Sequence, residues 1–86
     1  MLLSAITSPM RDVVFYTRPG CHLCDDALRE VLAAREQAEF SLREVDIAQD
    51  QDAFDDFKFD IPVVEVDGVV AFKHRLTAHA LLERLR

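Results

Sequence analysis

The sequence predicts a single α/β domain in the order β-α-β-α-β-β-α, a four-stranded mixed sheet with three helices. Three observations predict it. A β-rich run, a helical stripe and an alternating run follow one another within about 35 residues, a length that fits a right-handed βαβ unit with parallel strands. Two short apolar runs are joined by Asp67-Gly68, a strong two-residue hairpin signal. The chain has 86 residues, enough for one domain that buries roughly 60–65% of its unfolded surface.

The elements follow in order. Residues 1–11 read as a loose leader, mildly apolar, without the basic start and long apolar core of a signal peptide. Residues 12–86 form the domain. Its first strand, 12–17, lacks clean alternation, which fits burial on both faces. Pro19-Gly20 ends it. A helix follows, from about Cys21 or His22 to about Gln37, with Ala27, Leu28, Val31 and Leu32 as its apolar stripe. Arg29, Glu30 and Glu36 fall off that stripe, and Asp25 and Asp26 sit in the first turn, where carboxylates favour the helix dipole.

Residues 40–47 alternate as a half-buried strand does. A short acidic helix over 50–57 has Asp50 as its N-cap and Ala53, Phe54 and Phe57 as its apolar face. The neighbouring Phe54, Phe57 and Phe59 read as core packing rather than a cofactor pocket. A strand over 61–66 opens with proline, where the missing N–H is tolerated, and 69–72 is the returning strand. Thr77 caps a final helix that buries Ala80, Leu81, Leu82 and Leu85 and carries Arg84 and Arg86 in its last turn.

Half the residues are hydrophobic and 30% are charged, a soluble globular composition. No apolar run approaches the roughly 20 residues that span a bilayer, so no membrane is expected. The net charge of −6 argues against nucleic acid, whose phosphates need clustered Lys and Arg. The carboxylates between Asp46 and Asp60 lack the glycine and final glutamate of an EF-hand and read as a solvated acidic face.

Both cysteines, Cys21 and Cys24, stand at the junction between the first strand and the first helix. Without an export signal, such a pair points to reducing cytoplasm and to a catalytic or metal-binding role rather than a structural staple. As a redox dithiol, Cys21 is the nucleophile, its thiolate favoured by the helix N-terminus, and Cys24, one turn on, resolves the mixed disulfide. A structural pair and a metal clip are the rival readings. Cys21, Cys24, His74 and His79 are residue types that zinc accepts, but residues 25–73 separate the second cysteine from the first of those histidines, far from a finger's spacing. No metal ligand is therefore assigned.

The run Arg18-Pro19-Gly20-Cys21-His22-Leu23-Cys24, with Ile61-Pro62-Val63-Val64 and Asp67-Gly68, resembles the glutaredoxin branch of the thioredoxin superfamily. The closest likeness is to small bacterial glutaredoxin-like proteins with an Arg-Pro-Gly-Cys-His-Leu-Cys motif. The resemblance covers Asp12 to Leu85 and implies a thioredoxin-like fold. It implies thiol–disulfide exchange on protein disulfides or glutathione-mixed disulfides, with no bound cofactor, glutathione as a co-substrate, and a monomer as the working form. It implies a cis Ile61-Pro62 bond facing the cysteines, where the Ile61 backbone pairs with substrate. Arg18 then contacts a glutathione carboxylate, and His22 and Leu23 complete the substrate-binding set. The alternative is a non-enzymatic module of the same fold that binds a partner or a metal.

One segment departs from the family. The Gly-Gly pair expected before the last helix is replaced by Phe72 and Lys73, and no acidic pair follows. Lys73, His74 and Arg75 stand there instead. Lys73 and Arg75, next to a helix N-terminus, are a candidate anion site.

Overall fold

The computed structural model describes residues 10–86, so the expected leader lies outside the described residues except for Met10 and Arg11. The elements are β1 (Asp12–Thr17), α1 (His22–Arg35), β2 (Ser41–Asp46), α2 (Gln51–Phe57), β3 (Val63–Val66), β4 (Val69–Lys73) and α3 (Ala78–Leu85), with a 3₁₀ turn, Ile47–Gln49, before α2. The expected order holds. The sheet runs β2-β1-β3-β4, with β1 parallel to β2 and antiparallel to β3, and β3 antiparallel to β4.

One face of the sheet carries the main core. Val13 and Phe15 of β1 and Val64 and Val66 of β3 pack there with Val31 and Ala34 of α1 and Leu81 of α3. Each of these valine, leucine and phenylalanine side chains contributes about 1.5–3 kcal/mol by leaving water. The other face is thinner. Val63, Ile47 and Ala53 are buried, and Tyr16 stacks on Phe57 of α2 with ring centroids 4.7 Å apart. A seven-residue helix cannot cover four strands, so Val14 and Tyr16 are only half-buried and β1 is not closed on both faces as expected.

Other boundaries shift for physical reasons. α1 ends at Arg35 rather than near Gln37, because the Gln37 and Ala38 amides both donate back to the Ala34 carbonyl in a closing turn. That turn swings Phe40 into the core before β2 begins, so Phe40 and Ile47 flank the strand instead of belonging to it. The stripe of α1 is Cys24, Ala27, Val31 and Ala34; Leu32, expected inside, is 44% exposed. Phe59, expected in the core, is 83% exposed, its ring beside the Lys58 ammonium.

The caps follow the sequence. Asp50 accepts from the Ala53 amide and Thr77 from the Ala80 amide, each at 3.0 Å. The Asp67-Gly68 hairpin has both residues at positive φ, 52° and 84°, as a type I′ turn requires. Asp67 also accepts from the Asp12 amide at 2.9 Å and from Arg11 at 2.7 Å, which ties the hairpin to the start of β1. In β4, Ala71 has no partner across the ladder and forms a bulge between the Phe72–Val64 and Val70–Glu65 pairs.

Candidate active site

The site begins where β1 runs out. Pro19 and Gly20 form a turn, and Gly20 takes φ of 81°, a conformation that side chains rarely adopt. The chain then enters α1 with Cys21 as N-cap, and the Cys21 sulfur accepts from the Cys24 amide at 3.1 Å. Cys21 and Cys24 are joined as a disulfide, with 5.1 Å between their α-carbons. The two sulfurs differ in access: Cys21 is half-buried, and Cys24 is 1% exposed. Only Cys21 is open to an incoming partner, and its sulfur, which accepts from the Cys24 amide, lies at a helix start, where negative charge is favoured. The opposing carboxylates of the first turn both face solvent, and Asp26 is paired with Arg29 one turn on.

Arg18 is exposed at the end of β1 and forms no ion pair among the described residues. His22 and Leu23 are exposed in the first turn of α1. The Ile61–Pro62 bond is cis; Pro62 is buried, and Ile61 packs on the same core as Cys21. The Pro62 carbonyl accepts from the His74 amide at 2.8 Å. That bond anchors the segment between β4 and α3, where the Arg75 amide donates to the Lys73 carbonyl at 2.8 Å around His74 at φ of 71°. The result is a tight γ-turn in the place where the family pattern has glycines.

The candidate anion pair is divided. Lys73 is bound to Asp60 at 3.2 Å, while Arg75 faces a groove of about 560 Å³. Leu23 and Ala27 of α1 form one apolar wall of this groove, and Phe72, Leu76 and Ala80 the other. His74 and His79 are exposed, and among the described residues no group of three or more His, Cys, Asp and Glu could hold a metal ion.

The sequence reading missed Glu30. Placed on the solvent side, it instead reaches across to α3, where its carboxylate accepts from the Ala78 amide at 2.8 Å and lines the same groove. The contact joins residues 48 apart, so no local pattern carries it. On the thin face, burial raises the Tyr16 phenol and the Glu65 carboxylate that accepts its proton at 3.1 Å raises it further.

Residues 12–86 match the family described as Glutaredoxin-like domain (DUF836). The "Glutaredoxin-like protein YDR286C homolog" of Dictyostelium discoideum is 38% identical over 71 residues, covering 76% of this chain and 66% of that protein. The chain therefore spans just under two thirds of that relative's length. Protein Ne2328 from Nitrosomonas europaea has a similar structure, with a TM-score of 0.78 at 20% identity over 93% of this chain and 96% of that one. Chloroplastic thioredoxin z gives a TM-score of 0.72 at 14% identity, covering 88% and 75%. At these identities the structural likeness speaks for the fold, which is the thioredoxin fold.

Proposed function

We propose, for a chain that belongs to the glutaredoxin-like domain family, that it is a thiol–disulfide oxidoreductase acting through Cys21 and Cys24. The observation that carries this reading is the unequal exposure of two bonded cysteines at a helix start. In the reduced protein the Cys21 thiolate attacks one sulfur of a substrate disulfide, and the other sulfur leaves as a thiolate that takes a proton from water. The buried Cys24 thiol then loses its proton and attacks the Cys21 sulfur. That step releases the second substrate thiol and forms the Cys21–Cys24 disulfide. Two electrons pass to the substrate, and an external thiol reductant returns them.

Protein disulfides and glutathione-mixed disulfides are the substrate classes. The Ile61 backbone presents the substrate as an added strand would. Arg18 is an accessory cation beside the thiolate, and His22 and Leu23 border the approach. The chemistry requires no bound cofactor and suits a monomer in reducing cytoplasm.

Replacing Cys24 with Ser tests the reading. The variant should accumulate mixed disulfides at Cys21 in cell extract, resolved by mass spectrometry and released by dithiothreitol. No adduct, together with no disulfide reduction by the unaltered protein, would favour a binding module that turns nothing over.

A further inference from the structure

The groove opens at Leu23, the residue before Cys24 in the first turn of α1, which gives a partner bonded to Cys21 a place to extend. Leu23 stands between the two cysteines and Glu30 lies two turns further along α1, on the same helix face. At 1.5 Å per residue they are about 10 Å apart along the axis, the reach of a three-residue peptide. A small thiol bound at Cys21 thus meets apolar Leu23 first and Glu30 at its far end.

The far end is the N-terminus of α3, a place that ordinarily favours anions. Here its donors are engaged. Of the first three helical amides, Ala78 donates to Glu30 at 2.8 Å and Ala80 to the Thr77 hydroxyl at 3.0 Å. The charges lining the groove also cancel. Asp26 is paired with Arg29, which leaves Glu30 against Arg75, for a formal sum of zero with His74 neutral.

Resting on the exchange chemistry proposed above, we infer that Glu30 is the specificity-determining residue of this site. Its carboxylate occupies the position that a carboxylate of the partner would take. It thereby disfavours small anionic thiols and disulfides relative to uncharged ones.

The test uses the full chain with Glu30→Gln, which keeps an acceptor for the Ala78 amide and removes the charge. The control is Glu36→Gln, an exposed position at the far end of α1 that changes the net charge equally. Each protein, recycled by dithiothreitol, is assayed on oxidised glutathione, which is anionic, and on hydroxyethyl disulfide, which is neutral. Glu30→Gln should raise kcat/KM for oxidised glutathione on the order of fivefold, as expected for one unit charge lost at close range. The rate on hydroxyethyl disulfide should stay within about 1.5-fold, and the control should change neither. An equal change on both substrates, or the same gain from Glu36→Gln, overturns the inference.

A binding measurement separates this inference from the reading beneath it. S-methylglutathione cannot react, and its affinity for the oxidised protein should rise by a similar factor in Glu30→Gln. If the unaltered protein reduces neither disulfide, the exchange reading fails while this titration still decides the role of Glu30. Should the variant not fold, the unaltered protein is compared on oxidised glutathione and its ethyl ester at about 0.5 M salt, where only charges close to the bound molecule still act. The ester should react faster, and equal rates would overturn the inference.

Discussion

Gly20 holds φ of 81° at the turn that delivers Cys21, with nothing within 4 Å of where a β-carbon would stand. The cost of a side chain there is therefore conformational rather than steric crowding. Gly20→Ala should lower stability by about 1–2 kcal/mol, read from the urea midpoint. Asp67 sets a pH dependence of its own. Its bond from the Asp12 amide, and then that from Arg11, hold its carboxyl below the ordinary range of an aspartate. A carboxyl that binds its proton less readily when folded lends stability that is complete above the unfolded value and disappears as pH falls through the lower folded one. Asp67→Asn should therefore flatten the decline of Tm between about pH 5 and pH 3. Single residues were legible where the cause is local: Asp50, Thr77 and Asp67 announce caps and a turn through their own neighbours. Glu30 was not, because its partner amide is 48 residues away.

At the scale of elements, α1 shows how far periodicity reaches. The pattern located the helix, two of its buried positions, Ala27 and Val31, and the half-buried Leu28. It placed Leu32 inside because leucine is apolar, whereas the face that meets the sheet and α3 passes through Ala34. Packing chose the small residue where the layers come close. The distinction is measurable. Leu81→Ala, at a fully buried position of α3, should cost about 2–5 kcal/mol, and Leu32→Ala less than about 1, both by chemical unfolding. Strand boundaries were less legible, since Phe40 and Ile47 are as apolar as strand residues yet lie just outside β2. Each is two residues from the nearest apolar strand residue, Leu42 or Val45, as alternation requires, but the ladder with β1 pairs only residues 41–46.

For the molecule as a whole, the element order, the parallel β1–β2 pair and the position of the cysteine pair could all be read from the sequence. The unequal covering of the two sheet faces could not, because it depends on the few turns that α2 contributes. The formal charge of −6 belongs to the same scale. It should steer encounters, so exchange with a cationic peptide disulfide should slow as salt rises from about 20 to 500 mM, while exchange with an anionic peptide disulfide accelerates. Stopped-flow rates of equal slope would contradict this. The bulge at Ala71 bears on how the chain can change length. Loop tips ordinarily absorb added or lost residues, and the bulge offers a second place: a single deletion at Ala71 would restore regular hairpin pairing and leave the register on either side of it unchanged. Phe72 would stay opposite Val64 on the core side, and Lys73 opposite Val63. The His74 amide would keep the Pro62 carbonyl as its acceptor, and the groove would keep its Phe72 wall. The hairpin therefore has a built-in position for losing one residue, at its bulge as well as at its tip.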